Sequence, residues 1–523
     1  MAPPPCPIPP CGSRSRLIRG GLGLGYHPGS HSVVFAFSGP RRRHGRRGGG
    51  RRRRRDGGGG AQVPRGLTRE LSAPSRPRQS LLVFDDALND AYSELQGEFQ
   101  RVDRAALAHS RRVHAAMTKH RVTRDHFSGS TGYGHDNFGQ EVLDAVFADI
   151  FGTQAAACRP QFMSGTHALA CVLFGLLRPG DTLVSAAGAP YDTMMQVIGN
   201  APTAANSTMD GDEGCVAGRP YLDGSLMDCG ALYDEVPLSE QGRVQPAVLT
   251  DVVKRTLEDS PEGRVLVLVQ RSCGYTDRPC LSPTEVEQLI DAARVAAPEG
   301  QHDRVRVMVD NCYCEFVGDA EYSFHHKADA IAGSLIKNPG GGIAPRGGYV
   351  AGTPAAVGAS LRRLAAPGVT GSAVDGETMR LIFQGLWLAP GSVAESVKGG
   401  MLLAYLAERM LGVTASPGAA FDGRHDVVTR LSFGERERML RFVQAIQTDA
   451  SPIDAHVLPT SEATDGYHDE VIFAAGTFIE GSTSELTADG PMRDPYVAYC
   501  QGGTHVTQWA LAMERVLLRM DQE

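Results

Sequence analysis

Hydrophobic residues recur with helical spacing in the segment that begins near Asp85. Their separation alternates between four and three residues, which places them on one face of an amphipathic helix. The six residues are Leu88, Tyr92, Leu95, Phe99, Val102 and Ala106. We interpret this face as a packing surface, against the core or another subunit, rather than as a ligand groove. A Gly- and Ser-rich loop at 128–134 and a second amphipathic helix around Leu143 and Phe147 follow it.

Further along the chain, short apolar runs alternate with amphipathic helices. Val265–Val269 and Val305–Val309 have the apolar, β-branched character of buried parallel strands. Between them, Ser282-Pro283-Thr284-Glu285 is a capping box that starts a helix. A strand, a helix and a strand in this order form a βαβ unit, which predicts an α/β domain with a mostly parallel sheet.

The pattern changes after about residue 390, where helices mix with short strands such as Val471–Ala474. This part of the chain predicts a smaller α+β C-terminal domain. We therefore divide the sequence into a leader (1–80), an N-terminal helical arm (81–130), a large domain (131–390) and a small domain (391–523).

The leader differs from the rest of the chain in composition. Residues 1–80 contain 17 arginines, no lysine and two acidic residues, together with many glycines and prolines. Such a segment cannot bury enough apolar surface to fold, so we expect disorder. An Arg- and Ser-rich, acid-poor leader is typical of an organelle transit peptide, for a chloroplast rather than a mitochondrion. The alternatives are a low-complexity tail, an overextended gene prediction or an RNA-binding arm on an otherwise cytoplasmic protein.

Composition also excludes several function classes for the remainder. The chain has 59 acidic and 52 basic side chains, and a third of the basic ones lie in the leader, so the body is strongly acidic and unsuited to nucleic acid. The apolar run Ala168–Leu177 is too short to cross a membrane. The 11 cysteines form no CxxC pair, which argues against a structural zinc site and indicates a reducing compartment. We predict no metal site.

One of the five lysines stands apart from the others. Lys337 follows an apolar approach and precedes the loop Asn338-Pro339-Gly340-Gly341-Gly342. A lysine at a strand end beside a glycine loop is placed for close approach of a cofactor; the alternative is an ordinary surface lysine. No GxxxxGK run precedes Lys337, so the segment is not a nucleotide-binding P-loop.

Three further segments have the chemistry of a ligand site. Asp310 follows the strand Val305–Val309, at the sheet edge where α/β proteins bind ligands, and could hold a protonated ring nitrogen or merely cap a turn. Ser164-Gly165-Thr166-His167 opens an apolar helix and could expose backbone N–H groups to a phosphate, or act only as an N-cap. Tyr191 lies in a loop and could stack on a ring or simply pack.

These segments together resemble the methionine γ-lyase-related family, also called aluminium resistance proteins, among the fold-type I enzymes that use pyridoxal 5'-phosphate (PLP). The resemblance covers roughly residues 85–520. The matching segments are Gly132-Tyr133-Gly134, Ser164-Gly165-Thr166-His167-Ala168, Pro190-Tyr191-Asp192-Thr193, Gly333-Ser334-Leu335-Ile336-Lys337-Asn338-Pro339-Gly340-Gly341 and Gln501-Gly502-Gly503.

The resemblance implies a role for each matching residue. Lys337 would bind PLP covalently, Asp310 would pair with the pyridinium nitrogen, and Tyr191 would stack on the ring. The phosphate would be held by Gly165, Thr166 and Ser334. Tyr133 would reach the phosphate of the neighbouring subunit's cofactor, so the resemblance implies a homodimer or homotetramer with shared active sites.

The sequence departs from related sulfur-amino-acid enzymes at two positions. Tyr133-Gly134-His135 stands where those enzymes usually have Tyr-x-Arg, and Ile336 stands where a hydroxyl residue often precedes the lysine. Both departures leave PLP binding in place but leave the substrate open.

The resemblance therefore implies a PLP-dependent carbon–sulfur lyase that acts on a sulfur amino acid by β- or γ-elimination. Alternatives are another PLP reaction, such as transamination or aldol cleavage, and a non-catalytic protein of this fold linked to metal tolerance. The substrate carboxylate needs a fork-shaped partner, for which arginine fits best. Arg493 is the first candidate and Arg346 the second.

Overall fold

The computed structural model describes residues 78–135, 137–200, 222–318, 321–464 and 466–520. All of them belong to one unit of the chain, Ser72–Glu523. The predicted leader, 1–80, lies almost entirely outside the described residues. Its disorder and its targeting role stay predictions.

The first helix is longer than the hydrophobic stripe that predicts it. Helix α1 spans Arg78–Lys119. Leu95 and Val102 of the stripe are buried, while Leu88, Tyr92 and Phe99 are partly buried against the same core. The stripe is therefore a packing surface within the chain itself.

Within the described residues, seven strands form the larger sheet, in the order β1-β7-β6-β5-β4-β2-β3. Strands β2 to β6 run parallel to one another, and β7 pairs antiparallel with both β1 and β6. The strands are β1 (Ala155–Arg159), β2 (Thr182–Ser185), β3 (Leu232–Glu235), β4 (Val265–Gln270), β5 (Val305–Asp310), β6 (Ala330–Ser334) and β7 (Gly348–Gly352). The helices around it are α2 (Phe138–Phe151), α3 (Gly165–Leu176), α4 (Asp192–Ile198), α5 (Pro246–Asp259), α6 (Pro283–Val295) and α7 (Pro354–Leu364).

The predicted βαβ unit is confirmed as β4-α6-β5. The Ser282 hydroxyl accepts a hydrogen bond from the Glu285 amide at 3.2 Å, and the Ser282 amide donates to the Glu285 carboxylate at 2.9 Å. This reciprocal capping box starts α6 where the sequence predicts it. The fold is α/β with a mostly parallel main sheet, as predicted.

The C-terminal part contains a separate antiparallel sheet, in the order β10-β11-β12-β9-β8. Its strands are β8 (Thr414–Ser416), β9 (Thr429–Ser432), β10 (Val471–Ala474), β11 (Thr487–Pro491) and β12 (Val497–Gln501). Helices α9 (Arg436–Ala445) and α10 (Thr507–Met520) pack on it, and the long helix α8 (Gly376–Leu406) leads into it. The boundary predicted at residue 390 lies inside α8, where Pro390 is accommodated.

Two further observations concern the described ranges alone. No helix among them is long and apolar enough to cross a membrane. No group of three or more His, Cys, Asp or Glu side chains within them is arranged to hold a metal ion.

Candidate active site

The carboxyl ends of three neighbouring strands bring together most of the predicted residues. Gln270 ends β4, Asp310 ends β5, and Ser334 ends β6. Gln270 and Asp310 are register partners in the parallel pairing of β4 and β5. Because parallel strands end at a common edge, polar residues that follow each strand collect there. This edge is the candidate active site.

Lys337 lies just beyond β6 in a loop anchored from two sides. The Asn338 side-chain amide donates to the Glu315 carbonyl at 2.9 Å, and the Thr483 hydroxyl donates to the Asn338 side-chain oxygen at 2.6 Å. These buried bonds join the loop to both parts of the chain. The segment Asn338–Gly340 forms a single 3₁₀ turn. The glycine loop is therefore a rigid support for Lys337.

The Lys337 amine faces an aromatic ring that sequence reasoning missed. Its Nζ atom lies 3.4 Å from the centroid of the Tyr313 ring. Burial alone lowers the pKa of the Lys337 ammonium, but neighbouring groups, above all Tyr313, outweigh burial and leave the pKa above its ordinary value. The Lys337 amine thus lies over the face of the Tyr313 ring, a position that favours its cationic form.

Asp310 is a buried carboxyl beside this amine. The Cys312 amide donates to its Oδ1 atom at 3.1 Å, and the residue is 5 % exposed. Burial raises the pKa of Asp310, and the backbone and thiol of Cys312 and the Lys337 ammonium offset it only in part. A cation at the strand end stabilises the charge of such a buried carboxylate, and a protonated ring nitrogen would supply that cation.

Tyr191 lies at the start of α4 and is held by two contacts. Its hydroxyl is 3.0 Å from the Thr166 hydroxyl, and its amide donates to the Gln270 side-chain oxygen at 3.0 Å. Burial, followed by the charge of Asp310, raises the pKa of the Tyr191 phenol, which is therefore neutral. The structure thus joins Tyr191 to Thr166, two residues that the sequence places in separate segments.

The start of α3 and the end of β6 form a cradle for an anion. A Cβ atom on Gly165 would lie 2.9 Å from the Ser334 Cβ and 3.4 Å from the Cys312 Sγ, so only glycine allows this close approach. The Ser334 hydroxyl is buried and has no hydrogen-bond partner among the described residues. A buried unpaired hydroxyl beside a helix N-terminus could hold a phosphate group.

Two predicted residues do not join this cluster in the single chain. The Tyr133 side chain is 64 % exposed and its ring packs beside His135, at 5.8 Å between centroids. Arg346 is also exposed and lies 3.9 Å from the Asp375 carboxylate. Within the described ranges, no contact links either residue to Lys337 or Asp310.

Arg493 lies nearer to the cluster. Its Nη2 atom donates to the Tyr275 carbonyl at 2.9 Å, and its Nη1 atom forms an ion pair with Asp469. Burial raises the pKa of Asp192, the residue after Tyr191, and the charge of Arg493 opposes that shift. The guanidinium is thus close enough to α4 to act on it electrostatically.

Several residues of the site were missed by sequence reasoning. Tyr313 and Gln270 had a usable signal, because each lies at or just after a predicted strand end on the same edge. Asn338 also had a usable signal, because it directly follows Lys337 in the sequence. Tyr275, whose carbonyl accepts a hydrogen bond from Arg493, had none, because it lies in an irregular loop after β4.

Comparisons with known proteins agree with this geometry. The chain is 40% identical over 413 residues to "Uncharacterized protein YnbB" of Bacillus subtilis (strain 168), covering 79% of this chain and 90% of that protein. A crystal structure from Clostridium novyi NT, described as a carbon-sulfur lyase involved in aluminum resistance, is 35% identical with a TM-score of 0.72. It covers 85% of this chain and 96% of its own.

A second crystal structure, from Clostridium acetobutylicum, is described as a proposed cystathionine beta-lyase involved in aluminum resistance. It is 36% identical, covers 85% of this chain and 96% of its own, and has a TM-score of 0.72. The methionine gamma-lyase family profile matches residues 84–521, which is nearly everything after the leader. The chain therefore belongs to the methionine gamma-lyase family, as its sequence motifs predict.

Proposed function

We propose that this protein is a PLP-dependent carbon–sulfur lyase that acts on a sulfur amino acid. The observation that carries the proposal is the convergence of Lys337, Asp310 and the cradle of Gly165 and Ser334 at one sheet edge. The family membership and the carbon–sulfur lyase name of a relative support it.

The residues at this edge fit PLP. The Lys337 amine would hold the aldehyde carbon, the Asp310 carboxylate the ring nitrogen, and the Tyr191 ring would cover one face. Ser334, Gly165 and Thr166 would hold the phosphate, since the unpaired Ser334 hydroxyl supplies a donor there. When bound, PLP supplies an electron sink for the negative charge that develops at the substrate α-carbon.

The chain's own residues would then move protons and orient the substrate. The Lys337 Nζ atom is the group placed to remove the α-proton and return it. Asp310 would hold the ring nitrogen from a buried position, where interactions between charges are little screened by water. Tyr191 is a neutral phenol at neutral pH and can donate a hydrogen bond.

Arg493 is our proposed partner for the substrate carboxylate. Its charge acts on Asp192 beside Tyr191, and its side chain is 48% exposed, which leaves the guanidinium open to a ligand. Arg346 remains the second candidate, through an assembly that we propose as a homodimer. In that assembly the exposed Tyr133 would contribute to the partner's site.

The test is incubation of the PLP-loaded protein with methionine, cystathionine and cysteine derivatives, with assay of 2-oxo acid and thiol. Lys337→Ala should abolish both products. The control Lys254→Ala removes an exposed lysine of α5 and should retain them. Borohydride reduction and peptide mapping should place the pyridoxyl group on Lys337; its attachment to another lysine would overturn the proposal.

A further inference from the structure

The second sheet contributes one carboxylate to the Lys337 site. Asp489 lies in the middle of β11, opposite Tyr499 of β12. The Tyr275 hydroxyl donates to its Oδ1 atom at 2.7 Å. Burial raises the pKa of Asp489 to about 6, although the Tyr275 hydroxyl and the Lys337 ammonium each oppose that shift. Tyr275 and Tyr313 pack against one small cluster that contains Tyr499, so the partly buried Asp489 carboxyl lies close to the ring that faces the Lys337 amine.

The described part of the chain supplies no ion-pair partner for Asp489. Among the described residues, no lysine, arginine or histidine forms an ion pair with its carboxylate, and its hydrogen-bond donor is the neutral Tyr275 hydroxyl. A partly buried carboxylate with one neutral hydrogen-bond donor is costly unless a cation joins it. The Asp489 carboxylate is therefore suited to a cation supplied by a ligand.

Tyrosine rings lie beside the Asp489 carboxylate. The Tyr275 ring lies 5.8 Å from the Tyr467 ring and 5.0 Å from the Tyr499 ring, measured between centroids. Tyrosine faces attract organic cations, and a carboxylate among them adds a charged acceptor. This combination is suited to an ammonium group and is unfavourable for a second carboxylate.

We propose that Asp489, held by Tyr275, binds a cationic group at the far end of the substrate side chain. The α-amino group of an amino acid is directed to Lys337, so the cation at Asp489 must be a second one. This inference rests on the proposed lyase function and narrows its substrate class to sulfur amino acids with a second, distal amino group.

A matched pair of ligands tests this directly. S-(2-aminoethyl)cysteine and S-propylcysteine differ in the distal group, which is an ammonium in the first and a methyl in the second. The PLP-loaded protein is titrated with each, and dissociation constants are read from the cofactor absorbance. Release of 2-oxo acid is followed in parallel. We expect the aminoethyl compound to bind about tenfold more tightly, with the difference in KM rather than kcat.

Three variants locate the effect. Asp489→Asn keeps the shape and the acceptor for Tyr275, and it should abolish the preference. Tyr275→Phe leaves the carboxylate in place and should weaken the preference only in part. Asp277→Asn makes the same substitution at a carboxylate that is 85% exposed, and it should retain the full preference. Equal binding of both ligands by the unmodified protein, or an undiminished preference in Asp489→Asn, would overturn the assignment.

Ligand binding tests the role of Asp489, and release of 2-oxo acid tests the proposed lyase function. Turnover of both ligands without preference would leave the lyase function standing and remove the role of Asp489. An Asp489-dependent binding preference without 2-oxo acid would support the cation site and contradict the lyase function. If the Asn variant fails to fold, equal binding by the unmodified protein still decides against the site.

Discussion

The Lys337 Nζ atom lies 3.4 Å from the centroid of the Tyr313 ring, although the two residues follow different strands. The ring holds the amine at the edge where Asp310 also lies. We predict that Tyr313→Ala slows capture of PLP by the cofactor-free protein by roughly tenfold, because the ring no longer fixes the position of the Lys337 amine. Tyr313→Phe keeps the ring and should lose less. The rate of appearance of the cofactor absorbance measures both, and an unchanged rate in Tyr313→Ala would contradict the prediction.

Ser334→Ala should weaken PLP binding without lowering the stability of the cofactor-free protein. The buried hydroxyl has no partner among the described residues, so its removal should leave the cofactor-free protein equally stable, or more stable by about 1 kcal/mol. The same change should weaken PLP binding by about tenfold, because a donor to the phosphate is lost. Urea unfolding and equilibrium dialysis of PLP give the two numbers.

Gly165→Ala tests the cradle by filling it. Its new Cβ would lie 2.9 Å from the Ser334 Cβ, and PLP retention should fall. Gly391→Ala is the matched control, since a Cβ there meets nothing within 4 Å. In the exposed helical setting of Gly391, alanine should leave PLP binding unchanged and add up to about 1 kcal/mol of stability. Equal PLP affinity in both variants would argue against a phosphate site.

Glu315 should make stability depend on pH. The residue is fully buried and its Oε1 atom accepts a hydrogen bond from the Tyr349 hydroxyl at 2.7 Å. Burial raises the pKa of Glu315 to about 8. The unfolded chain ionises near a pKa of about 4.3. Between these two pKa values, Glu315 keeps its proton in the folded protein but loses it in the unfolded chain. The free energy of unfolding therefore falls as pH rises towards 8.

Glu315→Gln removes that titration and keeps the acceptor for Tyr349. Between about pH 5.5 and pH 8, the unmodified protein should lose about 3 kcal/mol more unfolding free energy than the variant. Urea unfolding of the cofactor-free proteins at the two pH values measures this difference. Parallel losses in both proteins would show that Glu315 is ionised in the fold.

A shared active site predicts complementation between two inactive variants. Tyr133 is exposed in the single chain, so its proposed role requires a partner subunit. Lys337→Ala and Tyr133→Phe should each be defective. After subunit exchange, the mixed dimer holds both lesions in one site and leaves the other site intact, so activity should partly return. Mixtures no more active than the separate variants, with exchange confirmed, would place both residues in one chain's site.

The leader should be dispensable. Helix α1 begins at Arg78, and Phe84 is the first residue described as buried in it, so we expect folding not to depend on the first 77 residues. A chain that starts near Ser80 should stay soluble, bind PLP and unfold at the same urea concentration as the full chain. Loss of folding on this truncation would show that the leader is structural.

Local patterns predicted the elements of the large sheet. The capping box at Ser282 determined the start of α6 because its hydrogen bonds join residues three apart. The apolar runs predicted β4 and β5, and their order predicted a parallel pairing. The motif around Lys337 identified the family for the same reason, because its residues are adjacent in sequence.

The ends of the elements depended on packing rather than on motifs. The stripe from Leu88 to Ala106 predicts a helix, but α1 extends to Lys119. Val113 and Ala116 in that extension are buried, so tertiary contacts continue the helix beyond the pattern. The same holds for α8, which passes through Pro390 because much of the helix is buried.

By itself, the sequence determined which candidate residues lie at strand ends, since Asp310 and Ser334 end two neighbouring parallel strands. Only the tertiary structure decided what faces them. Tyr313, which has a backbone φ of 74°, lies over the Lys337 amine, and Asp489 belongs to the second sheet. No local spacing encodes such contacts, because the packing of two sheets, rather than the hydrogen bonding within one element, sets the distance between them.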